Sequence, residues 1–214
     1  MHALAPRPSL RRLCAVAVPA LFAACVTSGG TPERDVNPDG WLEPSPVLRQ
    51  QIEDQIRRLP WTHGSERVEQ IHWFARVGEP AYRPLIELCL DPRPDVAGSA
   101  VAALGATGDS RLVEPLRALA WPAELESGLE LERARAFLRL GDWSRIGSLV
   151  SGLRDENLWT RAWCSQALFE ATRERFDFDP RADEATRESS VQRWEAWVRS
   201  RQGEGILVTR RAAG

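Results

Sequence analysis

Apolar residues along this chain follow two patterns. One continuous run, Leu13-Cys-Ala-Val-Ala-Val-Pro-Ala-Leu-Phe22, stands alone near the N-terminus. From residue 45 onward, apolar positions recur at three- and four-residue spacing, the period of one face of an α-helix. Between the two, Val26 to Pro46 is rich in proline and glycine and has no periodicity. That composition predicts a flexible tether over residues 25–44. Trp41-Leu42 near its end are expected to dock on the first helix.

The helical part repeats one grammar three times. Glu69-Gln-Ile-His-Trp-Phe-Ala-Arg-Val-Gly78-Glu79 is followed by a second run over Tyr82–Leu90. Ser99-Ala-Val-Ala-Ala-Leu-Gly-Ala-Thr-Gly108-Asp109 is followed by Leu112–Leu119, and Glu132-Arg-Ala-Arg-Ala-Phe-Leu-Arg-Leu-Gly141-Asp142 by Ile146–Leu153. The anchor glycines, Gly78, Gly108 and Gly141, are nearly evenly spaced. A glycine just past a helix can take the left-handed conformation that closes the last turn. The acid after it can cap the next helix. Each unit therefore reads as helix, tight turn, helix. Its apolar stripes are Ile71, Phe74 and Ala75; Ala100, Ala103 and Leu104; Ala134, Phe137 and Leu138. One such unit cannot bury its stripe alone, so neighbours must stack.

The ends read as caps. Ser45-Pro46 suits a helix start, and Val47, Leu48, Ile52, Ile56 and Leu59 give that helix an apolar stripe. Asn157 to Thr172 reads as a fourth first helix, with threonine where the glycine should be. Phe176-Asp-Phe-Asp-Pro180 breaks the pattern. Asp183 then opens a last helix carrying Val191, Trp194, Trp197 and Val198 on one side.

Asp95-Val-Ala-Gly-Ser-Ala-Val-Ala-Ala-Leu-Gly-Ala-Thr-Gly-Asp-Ser-Arg-Leu-Val-Glu-Pro-Leu-Arg-Ala-Leu119 resembles a short HEAT repeat of the bilin-lyase type. The Ala-Leu-Gly-x-x-Gly-Asp turn and the Val-x-Pro-Leu second helix carry the resemblance, which extends over about Ser65 to Thr172. It implies an all-α fold, an α-solenoid of stacked antiparallel helix pairs, with about four units and helical caps over residues 45–201. Residues 202–214 are expected to be a disordered tail. Surfaces of stacked helix pairs suit macromolecular partners, so the expectation is a protein-binding scaffold or adaptor rather than an enzyme. A structural envelope component without a ligand is the alternative, and a cofactor-binding lyase a more distant one.

The isolated apolar run gives the chain an address. Arg7, Arg11 and Arg12 precede it, small residues follow, and no carboxylate appears before Glu33. This is the pattern of an export signal over residues 1–24. Leu21-Phe-Ala-Ala-Cys25 resembles the lipobox of bacterial lipoproteins, which implies that Cys25 carries the lipid. An ordinary cleaved signal is the plainer alternative. Val26 is not aspartate, so the resemblance points to the periplasm-facing outer membrane of a bacterial cell envelope. No apolar run reaches the ~18 residues of a spanning helix.

Composition narrows the chemistry. The 214 residues carry 28 arginines, no lysine and 30 carboxylates, for a formal charge of −2. A near-neutral chain is poorly suited to nucleic acid. His63 and His72 stand without a cysteine or carboxylate pair at metal-ligand spacing. Cys89 and Cys164 lie in apolar helical runs and read as buried, unpaired thiols on different units. No phosphate loop, cofactor site or small-molecule substrate site is expected. Of nine tryptophans, Trp73, Trp163, Trp194 and Trp197 fit helical faces, while Trp61, Trp121, Trp143 and Trp159 fall at helix ends or turns. Turn tryptophans either pack between repeats or mark a recognition patch. Trp121, Trp143, Trp159 and Arg161 are the candidates for contacting a protein partner, because tryptophan and arginine dominate binding hot spots.

The lipobox reading has a direct check. Cys25→Ser is expected to move the chain from the membrane to the soluble fraction and to abolish palmitate labelling, since acyl chains supply the anchor.

Overall fold

The computed structural model describes residues 40–203. These contain nine α-helices and no strand: α1 (Pro46–Arg58), α2 (Gly64–Val77), α3 (Glu79–Leu88), α4 (Pro94–Thr107), α5 (Val113–Ala118), α6 (Ser127–Arg139), α7 (Ile146–Gly152), α8 (Leu158–Thr172) and α9 (Glu184–Gly203). Short 3-10 turns at Leu59–Trp61 and Ser110–Leu112 lead into α2 and α5. No described helix is long and apolar enough to cross a membrane.

The helix ends follow the sequence signals. Ser45 caps α1 by accepting from the Leu48 amide, with Pro46 in the first turn. Gly78, Gly108 and Gly141 all have positive φ, at 69°, 67° and 90°. After α8 the left-handed position falls to Arg173, at φ 64°, not to Thr172. A side chain there costs about 1–2 kcal/mol that glycine avoids. Asp183 caps α9 through the Thr186 amide, at 3.0 Å. One position of the α1 stripe departs from expectation: Val47 is 70% exposed, because it sits in the first turn, where no neighbouring element covers it.

The first helices of the units lie side by side. Gly98 on α4 faces Leu129 on α6, and Gly105 faces Ala136, the same sequence offset in both cases. Arg67 of α2 donates to Asp95 of α4 at 2.9 Å. Arg139 of α6 donates to Glu170 of α8 at 2.8 Å. Start meets start and end meets end, so α2, α4, α6 and α8 run in one direction. The apolar faces fill two cores. One gathers Trp41, Phe74, Leu85, Leu104, Leu116 and Phe137; the other gathers Leu138, Leu149, Leu168, Val191 and Trp194. Helix α6 serves both, sending Leu129, Ala136 and Phe137 one way and Ala134 and Leu138 the other. Cys89 and Cys164 are buried and unpaired, one in each core, and burial pushes both thiols up to about 12.

The acids after the anchor glycines clamp neighbouring units as well as turns. Asp109 accepts from the Arg111 amide and also from the Tyr82 hydroxyl of α3, at 3.2 Å. Asp142 accepts from the Ser144 amide and from Arg117 of α5, at 2.7 Å. Glu79 caps no helix: it is the first residue of α3, where it pairs with Arg111 and accepts from the Leu42 amide. That contact belongs to a clasp that extends the expected docking of the tether end beyond α1. Trp41 is buried edge-on against Tyr82 of α3, at 5.0 Å, with the Arg111 guanidinium over its ring. The tether end therefore seats on α3 and the α4–α5 turn, and also meets α1, where Glu43 pairs with Arg49 and Ile52 shares a core with Trp41.

Space at Gly105 is the tightest constraint on α4. A Cβ there would stand 2.7 Å from the Ala136 Cα, which is backbone and cannot step aside. Gly105→Ala is expected to lower stability by about 1–3 kcal/mol through overpacking, although alanine favours a helix over glycine by about 1 kcal/mol. Gly147→Ala, where the new Cβ meets nothing within 4 Å, should raise stability by about 0.5–1 kcal/mol. Urea denaturation of the two variants checks the pair.

Candidate functional site

The outer face of α4 carries little side chain at Gly98, Ala102 and Ala106, beside Gly105, which is buried against Ala136 of α6. Helices α2 and α6 flank it, and two shallow depressions lie along α4. The one around the start of α4 has about 400 Å³ and is lined by Ile71, Gly98, Ala102 and Leu129 with Asp95, Glu126 and Glu132. The one around the end of α4 has about 570 Å³ and is lined by Ala75, Gly105 and Ala106 with His72, Arg76 and Arg139. The first carries only acids among its charged residues, and the second only cations and a histidine.

Most of these charges have partners. Asp95 pairs with Arg67, and the guanidinium holds the Asp95 carboxyl below the usual range against the effect of burial. Glu126 caps α6 by accepting from the Leu129 amide, at 3.2 Å. Arg139 pairs with Glu170. Glu132 is different. Its Oε1 is sealed from solvent and accepts no hydrogen bond, and the nearest cation, Arg135 Nη1, stands 3.9 Å away. Burial raises its carboxyl above the usual range; Arg135 and Arg139 oppose that rise, and Glu170 adds to it. Arg135 is itself committed elsewhere, bridging to Glu170 at 3.3 Å and lying over the Trp163 ring of α8.

The sequence-derived candidates meet different fates. Trp159, at the start of α8, is 77% exposed. It stands where the offset that relates α4 to α6 carries Gly128 of the first depression one helix further, into α8. Trp121 is half-buried: its Nε1 donates to the Leu116 carbonyl at 2.8 Å and Arg133 lies over its ring. Trp143 packs against Trp197, 6.2 Å between ring centroids. These two serve packing between units. Arg161 is buried, and its guanidinium donates to the carbonyls of Asp155, Glu156 and Pro180. It ties the start of α8 to the loop before α9 and presents no fork to a partner. Cys25 lies outside the described residues.

Trp61, another of the turn tryptophans, is 81% exposed, because the 3-10 turn ahead of α2 carries it off the α1 stripe. The depressions along α4 escaped the sequence, since a run of glycine and alanine reads as close packing until the neighbouring helices are placed. Among the described residues no group of three or more metal-ligating side chains comes together. The chain matches no protein-family model, and no curated protein matches it.

Glu132 generates a pH prediction. Its folded-state carboxyl titrates above the unfolded one, so the folded chain binds the extra proton, and its contribution to stability falls as pH rises through that interval. Glu132→Gln removes the charge and keeps the shape. It should therefore stabilise the protein at pH 7.5, with the gain shrinking to nothing towards pH 4. Thermal melts of both proteins across that range test the sign.

Proposed function

We propose that this chain is a lipid-anchored adaptor of the bacterial cell envelope, holding a partner protein on the outer face of α2, α4, α6 and α8. The observation that carries the reading is the pair of open depressions along α4, with Trp159 exposed at the start of α8. Grooves of apolar floor and charged rim are where helices and other protein segments bind.

The HEAT-like solenoid reading rests on three things. The Gly-acid turn recurs at Gly78, Gly108 and Gly141, at nearly even steps. The first helices run in one direction at a matching step. The second helices donate to the acid of the next turn, as Tyr82 does to Asp109 and Arg117 to Asp142. Both cores are apolar, and the terminal helices α1 and α9 have exposed polar faces, as ends of a stack require. The anchoring half of the proposal rests on Leu21 to Cys25 and the cationic, acid-free segment before it. In this reading, the stretch from Cys25 to Trp41 lets the domain stand at most about 55 Å from the bilayer surface.

A photo-crosslinking residue placed at Ala102 in the full-length chain, in intact cells, should capture one stoichiometric protein. Trp159→Ala should weaken that capture by roughly tenfold or more, the scale of an interface hot spot, without shifting the melting temperature. Absence of a crosslink at Ala102 alongside normal membrane anchoring would favour a ligand-free structural role.

A further inference from the structure

The turn after α8 breaks the rule that the earlier turns keep. We infer that the edge of the domain where α2, α4, α6 and α8 end lies on an anionic bilayer surface, with Arg173 and Arg175 against lipid phosphates. The inference rests on the lipid-anchored reading and names the face that the anchor brings to the membrane.

Gly78, Gly108 and Gly141 take positive φ after their helices, and Arg173 takes the same position after α8, at φ 64°. Left-handed backbone disfavours a side chain, so this one is held against strain. Its guanidinium lies over the Phe169 ring, 5.7 Å from the centroid, and that of Arg175 lies over the same ring at 3.8 Å. One ring thereby collects two exposed cations. The acids nearby are engaged: Glu170 with Arg135 and Arg139, and Asp177 with Arg193. Among the described residues neither Arg173 nor Arg175 pairs with a carboxylate, the intervening Glu174 included. Two guanidinium forks gathered on one ring with their donors free suit oxyanions, phosphate among them.

The same edge receives the tether. Trp41 seats on Tyr82 and Arg111, at the turn that follows α4. Helices α6 and α8 are the next two in the row, so Arg173 stands about 16–20 Å away by the spacing of packed helices. Helix α1 runs against α2, since Arg58 at its end reaches Glu66 at the start of α2, at 2.7 Å. The start of α1 therefore lies at this edge too, and there Val47 is 70% exposed close to the tether end. Free arginines and an exposed apolar side chain around an anchor point are what an interfacial contact uses.

The opposite edge is unsuited. Asp91, Asp95, Glu124, Glu126, Asp155 and Glu156 lie at or just before the starts of α4, α6 and α8. Arg93 and Arg67 neutralise the first two, and the others would meet an anionic surface with like charge. Helix dipoles do not separate the edges, because each second helix starts where a first helix ends.

Arginine modification by phenylglyoxal tests the contact on the full-length chain, purified from membranes and reconstituted in vesicles. One set is phosphatidylcholine alone; the other contains an equal share of phosphatidylglycerol. Peptide mass spectrometry should show Arg173 and Arg175 modified at least tenfold more slowly on the anionic vesicles, with Arg57 and Arg58 modified equally on both. Raising salt to about 0.3 M should erase the difference. Arg173→Gly, which restores the residue of the earlier turns, should melt higher than wild type and cut the protection of Arg175 about fivefold, the scale of one arginine at an anionic surface. Higher melting with protection unchanged would make Arg173 a structural residue only and overturns the inference. So does equal modification on both vesicles, or equal protection of Arg57 and Arg58. Protection on the neutral vesicles by about 10 mM inorganic phosphate, beyond that by chloride of equal ionic strength, with none from phosphatidylglycerol, assigns the pair to a free anion and overturns it as well. A chain that floats with the neutral vesicles but shows no protection retires this inference and leaves the anchor standing. A chain that leaves the neutral vesicles yet is protected on the anionic ones does the reverse.

Discussion

The close approach of α4 and α6 at Gly105 is the constraint on which the rest of the structure depends. With a Cβ space of only 2.7 Å to the Ala136 backbone, the two helices meet as nearly bare rods. That approach lets α6 reach both cores, with Phe137 on one side and Leu138 on the other. It thereby joins the first units to α7, α8 and α9. A larger residue at 105 would push α6 outward and loosen both cores together, because interiors packed at crystal density transmit displacement.

The same economy of side chains creates the depressions. Residues small enough to admit α6 on one side of α4 leave the outer side uncovered at Gly98, Ala102 and Ala106. Burial and vacancy are thus two results of one composition. The flanking helices then decide the electrical character. Helix starts gather Asp95 and Glu126, helix ends gather Arg76 and Arg139, and the two depressions differ accordingly. Glu132 is the residue that this logic leaves unexplained. Its Oε1 is sealed and accepts no hydrogen bond, and burial raises its carboxyl above the usual range.

The polar contacts of the opposite side have a different role. Tyr82 to Asp109 and Arg117 to Asp142 repeat the same move, in which the second helix of one unit donates to the turn acid of the next. Arg154 continues it in altered form, bridging to Glu188 and Glu195 of α9. Exposed ion pairs such as those of Arg154 contribute little individually, but Tyr82 to Asp109 and Arg117 to Asp142 are partly buried and directional. Their effect is to fix the step between neighbouring units, which apolar packing alone specifies loosely. Trp41 uses the same network: its clasp on Tyr82 and Arg111 fastens the tether to a side of the domain separate from the lining of the depressions, and so leaves α4 uncovered.

The local elements were determined by the sequence itself. Apolar spacing set the helices, Ser45 and Asp183 set two of their starts, and three glycines with positive φ set the turns, because all of these act within about four residues. The buried state of Cys89 and Cys164 was equally legible, since each lies inside an apolar helical run. Tertiary structure decided everything that depends on which faces meet. Arg161, a candidate partner contact, is a brace for three carbonyls; of the turn tryptophans, for which packing and a recognition patch were both open, Trp121 and Trp143 pack while Trp61 and Trp159 stay in solvent. None of these outcomes has a local signature. Trp41 found Tyr82, beyond the whole of α1 and α2, and Glu132 Oε1 was sealed only because other helices packed against α6. A side chain's surroundings are set by residues a full repeat or more distant, and that distance is the physical reason the depressions could not be read from the chain alone.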